Sequence, residues 1–225
     1  MIVWLASYPR SGNLLTRQIL ARAFGCLSAS EYPEGGDELA AQLGVTFRLP
    51  YDGSAEDLIA AARASPDRVF IKTHGPPRDD SPAIYILRDG RAAVVSYRHF
   101  LGDSEGLHDL SLAQVIRGEV GFGSWSGHLD AWSPLLRPRT LVLRFETLRR
   151  QPQDAIAAIE RFIARPATAA WVNPFERLQR AVPTFFRHGD DRPNFAELAG
   201  PDLGLFWAHH GAWMTRLGYG EPPPG

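Results

Sequence analysis

Apolar and polar residues fall in blocks along the chain, and the blocks read as strands alternating with helices. Ile2-Val3-Trp4-Leu5-Ala6 is a short unbroken apolar run ending at Ser7-Tyr8-Pro9-Arg10-Ser11-Gly12, the pattern of a buried strand entering a tight loop. From Asn13 to Phe24 the apolar positions Leu14, Leu15, Ile19, Leu20, Ala23 and Phe24 recur at helical spacing, and Gly25 closes the pattern. Ser28 to Gly53 mixes Gly, Pro and acidic residues with one apolar patch at 39–43, and is expected to be an excursion of low order. Ala55 to Ala64 predicts a helix, with Ser54 as N-cap and Glu56 and Asp57 in its first turn.

The alternation continues to the C-terminal end. Val69-Phe70-Ile71 and Ala83 to Leu87 predict two further strands, and the second runs through Arg88-Asp89-Gly90 into a helix over 91–100. Helices are expected at 110–117 and 124–136, the latter turning Trp125, Leu129 and Trp132 to one packing side. Thr140 to Leu143 predicts a fourth strand, and helices follow at 153–163, 174–181 and 202–217, with the tail from Glu221 expected to fray. Strands alternating with helices imply an α/β fold, a parallel central sheet flanked by helices, with ligands at the carboxyl ends of the strands. A length of 225 residues suits a single domain over 1–225, with substrate-side excursions at 28–53 and 102–123.

Charge and composition narrow the chemistry. A formal net charge of -1 gives no general attraction to nucleic acid or to an acidic membrane, so an anionic ligand needs a local cluster of cations. The single cysteine, Cys26, reads as a small core residue at a helix end. No Cys/His spacing suggests a metal. The opening apolar stretch is too short for a signal segment and no run reaches bilayer length, so a cytoplasmic location is expected. Among 24 basic residues only Lys72 is lysine. In that arginine-rich background a retained lysine suggests a need for a compact ammonium on a flexible stem.

Three segments carry candidate chemistry. Tyr8-Pro9-Arg10-Ser11-Gly12-Asn13-Leu14-Leu15 links a buried strand to a helix, where backbone N–H groups can take an anion and Gly12 permits close approach. It resembles a P-loop without the Gly-Lys-Ser/Thr ending that places Mg²⁺ beside a triphosphate. An ordinary strand-to-helix turn is the plain alternative. Arg88, closing a strand, and Ser96, about two turns into the next helix, can together hold a phosphate through a guanidinium fork and a hydroxyl. Phe70-Ile71-Lys72-Thr73-His74-Gly75-Pro76 places an imidazole, suited to act as a proton acceptor, after a strand and two residues from the only lysine.

Taken together, these segments resemble the PAPS-dependent sulfotransferase family over most of the chain, which implies a P-loop NTPase-like sulfotransferase fold. By that resemblance Arg10, Ser11, Gly12, Asn13 and Leu14 cradle the 5'-phosphosulfate of 3'-phosphoadenosine 5'-phosphosulfate (PAPS), and Arg88 and Ser96 hold its 3'-phosphate. His74 falls where the family carries its general base. Val142-Leu143-Arg144-Phe145-Glu146 matches the strand before a Tyr/Phe-Glu-Asp turn and bears on the fold. Two departures stand out. Arg10 replaces the lysine of better-known members, and since arginine does not readily release a proton it would steady the leaving phosphate by charge, with Lys72 as the mobile cation. The late Arg-Lys-Gly loop is reduced to Arg187-His188-Gly189, of which only Arg187 and Gly189 match. The implied reaction is metal-free in-line sulfuryl transfer to the hydroxyl of an unidentified small-molecule or carbohydrate acceptor. An ATP-dependent phosphotransferase and a non-catalytic nucleotide-binding protein are the competing readings.

Overall fold

The computed structural model describes residues 1–34, 46–173, 175–181 and 197–220. Five strands, β1 (Ile2–Ser7), β2 (Ser28–Ser30), β3 (Val69–Thr73), β4 (Ala83–Leu87) and β5 (Thr140–Arg144), form one sheet in the order β2-β3-β1-β4-β5. Every pairing is parallel, with Leu5 beside Lys72 on one flank of β1 and Ile84 on the other. The chain builds β2 and β3 on one side of β1 and then crosses to β4 and β5 on the other. The order therefore reverses at β1, and a ligand crevice opens at the carboxyl ends of strands where that happens.

Side chains alternate across a strand, so β1 feeds two cores. Ile2, Trp4 and Ala6 join Ile71, Tyr85 and Leu87 on one face, while Val3 and Leu5 join Phe70, Ile84 and Ile86 on the other. The first face is covered by residues of α2 (Ala55–Ala64), α3 (Gly90–Glu105), α4 (Leu112–Arg117), α5 (Trp125–Trp132) and α9 (Gly200–Arg216). The second is covered by α1 (Asn13–Phe24), α6 (Phe145–Arg150) and α7 (Pro152–Ile163), with α8 (Phe175–Ala181) following along the chain. Because β1 is buried on both faces, it shows an unbroken apolar run instead of alternation.

Local chemistry sets the helix ends. Ser54 accepts the Asp57 N–H and caps α2, Ser111 and Gln114 form a capping box on α4, and Ser124 caps α5 through Gly127. The helix expected over 124–136 stops at Trp132, because Ser133 turns left-handed with φ 40° and precedes Pro134, which disfavours helical geometry before it. The helix expected over 91–100 extends to Glu105 and ends at left-handed Gly106, so the first part of the 102–123 excursion is helix. Strand β3 extends through Lys72 and Thr73.

The expectation of low order across 28–53 needs correction at 28–30 and 47–49, while its apolar patch at 39–43 lies outside the described residues. Ser28–Ser30 is an edge strand paired with Phe70, Ile71 and Lys72, and the chain returns beside it through hydrogen bonds between Ser28 and Phe47 and between Leu49 and Ser28. A Ser-Ala-Ser strand carries no hydrophobic alternation. It is fixed by buried Arg17, whose guanidinium donates to Ser28 Oγ at 2.7 Å and to Ser28 O at 3.1 Å. Cys26 is buried in the second core, as expected.

Candidate active site

The loop between β1 and α1 holds its shape through two backbone positions. Arg10 lies at φ 64° and Gly12 at φ 102°. A Cβ on Gly12 would come within 2.6 Å of Phe145 Cδ2, so close packing and dihedral both require glycine. Gly12 caps α1 without a side-chain hydrogen bond, leaving first-turn N–H groups without side-chain partners. Ser11 Oγ is buried with no partner. Asn13 ties the start of α1 back to β1, its amide donating to Leu5 O at 2.8 Å and to Ser7 Oγ at 3.3 Å. Leu14 is half-buried in the first turn.

The two anion-binding segments read from sequence meet at this loop. Arg10 Nε donates to Ser96 Oγ at 3.2 Å, and its guanidinium lies over the Phe100 ring. Arg88 Nη1 donates to the Arg10 carbonyl at 2.7 Å while its guanidinium stacks 4.5 Å from the Phe145 centroid. Burial lowers the Arg88 pKa to about 10, with Glu146 and Asp89 opposing the shift, so it stays charged at neutral pH. Glu146 also accepts from the Asp89 N–H and from the Tyr219 hydroxyl, bracing the end of β4. Arg10, Ser96 and Arg88 are thus gathered around one loop at the start of α1. Arg187, His188 and Gly189 lie outside the described residues.

His74 follows β3 directly. Its Nδ1 lies 2.7 Å from the Ser7 carbonyl oxygen, which can only accept, so Nδ1 carries the proton and Nε2 holds the lone pair. Burial, helped by the nearby Lys72 charge, pushes His74 down to about 3 and keeps it neutral. Tyr32 stacks on the imidazole at 6.1 Å with rings 8° apart, and Phe122 meets both rings edge-on. The Tyr32 hydroxyl also accepts the His74 N–H at 3.0 Å. A cavity of about 280 Å³ opens beside His74, lined by Gly75, Pro76, Phe122, Gly123 and His128 among others.

Lys72 leaves β3 on the α1 side and donates to Glu34 Oε1 at 2.7 Å. Glu34 also receives Arg17 Nη1 on both oxygens, at 2.7 and 2.8 Å, and Arg48 Nε at 3.4 Å. Burial would raise the Glu34 pKa, but Arg17 and Lys72 outweigh it and hold the carboxyl at about 2. Sequence reasoning missed Glu34, Tyr32 and His128. Glu34 and Tyr32 lie in a stretch without periodicity. His128 sits between Trp125 and Trp132 on a face read as packing; its Nδ1 pairs with the Tyr85 hydroxyl at 2.7 Å and its Nε2 is buried without a partner.

Among the described residues no helix is long and apolar enough to cross a membrane, and no group of three or more His, Cys, Asp or Glu could hold a metal ion. The family model for the sulfotransferase domain matches residues 2–184. Sulfotransferase 1A1 of Bos taurus is 28% identical over 179 residues, covering 72% of this chain and 58% of the relative. Sulfotransferase 1E1 of Mus musculus is 23% identical over 188 residues, covering 75% and 61%. The matches thus span about three fifths of these relatives' length. Two solved structures share the fold at a TM-score of 0.61. Mouse sulfotransferase SULT7A1 complexed with PAP is 19% identical, with 93% of this chain and 84% of that one covered. Retinol dehydratase with retinol and PAP is 16% identical, with 100% and 83% covered. The sulfotransferase domain of the curacin biosynthetic pathway aligns over 98% of both chains at a TM-score of 0.53 and 17% identity.

Proposed function

The chain belongs to the sulfotransferase family, and on that premise we propose that it transfers a sulfuryl group from PAPS to the hydroxyl of a small-molecule acceptor. The observation that carries this reading is the convergence of Arg10, Ser96 and Arg88 on the uncapped start of α1. The residues fit the cofactor. Ser11 Oγ is an orphaned buried hydroxyl, and Gly12 starts α1 without a side-chain cap. When bound, PAPS supplies an activated sulfuryl group on a phosphate leaving group.

In this reading Gly12, Asn13 and Leu14 offer backbone N–H groups to the 5'-side, while Ser11, whose own N–H is taken by the Tyr8 carbonyl at 3.3 Å, offers its hydroxyl. Arg88 and Ser96 serve the 3'-phosphate. Arg10 joins the two sites and counters charge developing on the leaving oxygen, as a preorganised cation does without giving up a proton. Arg187, His188 and Gly189 remain candidates for closing over the 3'-phosphate. His74 Nε2, with its lone pair set by the Ser7 contact, accepts the hydroxyl proton as oxygen attacks sulfur in line. Burial is the main cause of its low resting proton affinity and the Lys72 charge the second, so an anion beside Lys72 relieves the smaller of the two. Lys72, paired with Glu34, supplies a second cation to the transferring group. The cavity lined by Phe122, Gly123 and His128 receives the acceptor, and its aromatic wall suits a flat or apolar molecule carrying one hydroxyl.

Thermal-shift titration with adenosine 3',5'-bisphosphate (PAP), against ADP with and without Mg²⁺, tests this. A ligand at a hundred times its Kd adds about 2.7 kcal/mol, raising Tm by roughly 5–10 °C at this size. A shift of that order with PAP and little with ADP is expected. A Mg²⁺-dependent shift with ADP alone would overturn the reading in favour of a phosphotransferase.

A further inference from the structure

We propose that Glu34 is a positioning residue of this site: it holds Lys72 in place beside His74 and keeps it an ammonium, ready for the transferring anion. The inference rests on the sulfotransferase reading for what Lys72 meets, and on the geometry alone for what holds it.

Glu34 lies just past β2, and its carboxylate sits 2.7 Å from Lys72 Nζ. Among the described residues it is the only carboxylate in an ion pair with Lys72. The ammonium is also 5.8 Å from the Tyr32 centroid, and Tyr32 stacks on His74, so Glu34, Lys72, Tyr32 and His74 form one contiguous row. The groups facing Lys72 are otherwise cationic. Arg17 comes from α1 and is 2% exposed, and Arg48 comes from the strip returning beside β2. Arg48 also donates to the Glu34 backbone carbonyl, fixing that residue from a second side. Burial lowers the Lys72 pKa, Glu34 opposes this, and Arg17 and Arg48 add to the lowering. Remove the one negative charge and a half-buried amine faces two guanidinium groups with nothing to keep its proton. An amine that loses its proton cannot steady a sulfuryl oxygen. Arginine at position 72 would keep its charge regardless.

The chain has a single lysine, so ¹³Cε-lysine labelling gives one NMR signal whose titration reports Lys72 alone. In the ligand-free protein, Glu34→Gln should lower the Lys72 midpoint by at least about one pH unit, a tenfold loss of ammonium at any pH well above it. Glu34→Asp, which keeps the charge on a shorter stem, should fall between the two and serves if the Gln variant does not fold. Direct PAPS binding should then weaken with rising pH in E34Q, by up to about tenfold per unit above the new midpoint, while the wild type stays flat over that range. The double variant E34Q/K72R should be flat again. Midpoints unchanged in both Glu34 variants would overturn the proposal, as would a pH-dependence that persists in E34Q/K72R. A shifted midpoint in a protein that binds no PAPS would instead sink the sulfotransferase reading and leave the Glu34–Lys72 coupling standing.

Discussion

Acid should destabilise this protein well before its carboxylates titrate, because two deeply buried imidazoles are held neutral. His128 is 5% exposed and pairs through Nδ1 with the Tyr85 hydroxyl, while His210 is 1% exposed and pairs through Nδ1 with Ser126 Oγ at 2.8 Å. Burial pushes His128 down to about 3 and His210 down to about 4 from an ordinary 6.5. Both folded values lie below the unfolded one. The stability they carry is therefore complete above pH 6.5 and drains away as pH falls, since only the unfolded chain takes up the protons. At pH 5 each costs about 2 kcal/mol, from 1.5 pH units at about 1.36 kcal/mol each. The pair together costs about 4 kcal/mol, a large share of a typical stability of about 5–15 kcal/mol. His74, pushed down to about 3, pulls the same way. Glu34 adds little above pH 5, because the stability from its folded pKa of about 2 is lost as pH falls from the ordinary carboxylate value of 4.5 down to about 2. For a chain of this size the pair should lower Tm by about 8–16 °C between pH 7.5 and 5. Differential scanning calorimetry across that range is the assay. In His210→Phe, whose ring can keep the edge contacts to Trp125 and Phe206, the slope should shrink by about one proton. A Tm constant to within a degree or two from pH 7.5 to 5 would refute the assignment of neutral buried imidazoles.

Three substitutions probe the site itself. His74→Ala should cut turnover by roughly 10²–10⁴-fold while leaving PAP affinity near wild type, and near-normal turnover in a steady-state assay would remove His74 from the role of base. Gly12→Ala should destabilise the fold by about 1–3 kcal/mol, from the strained dihedral and the Phe145 clash, and abolish the PAP thermal shift. An unaltered shift would mean the loop does not bind the donor. Arg88→Lys loses both the stacking on Phe145 and the fork that reaches the Arg10 carbonyl, so PAP affinity by calorimetry should fall about tenfold or more. Equal affinity would place the 3'-phosphate elsewhere.

Much of this architecture was legible from the chain. β1, α1, α2, β4 and the loop from Tyr8 to Asn13 follow from apolar runs, helical spacing and caps, signals that depend only on near neighbours in sequence. The meeting of Arg10, Ser96 and Arg88 was implied only by the family resemblance; the hydrogen bonds that join them depend on β1 and β4 lying side by side. β2 was invisible because Ser28–Ser30 is held by a buried arginine from α1, a tertiary contact with no local pattern. Glu34 and His128 were missed for related reasons. One sits in a stretch whose Gly, Pro and acidic content suggested low order. The other lies between two tryptophans that explain its helix face without it. The early end of α5 was readable in hindsight from Pro134, which the helical spacing through Leu136 masked.

The ring of Phe145 has an implication for anyone re-engineering this scaffold. It sits where a Gly12 side chain would go and carries the Arg88 guanidinium on its face, with Arg149 also 5.9 Å from its centroid. The first residue of α6 thus acts as a spacer between two segments that are far from it in sequence. Donor loops from other proteins cannot be transplanted here as cassettes: one carrying any side chain at position 12 must arrive with a smaller residue at 145. That replacement in turn takes away the platform under Arg88. Positions 12, 88 and 145 form one inherited unit, and a library that randomises them together will reach functional sequences that single-site libraries cannot.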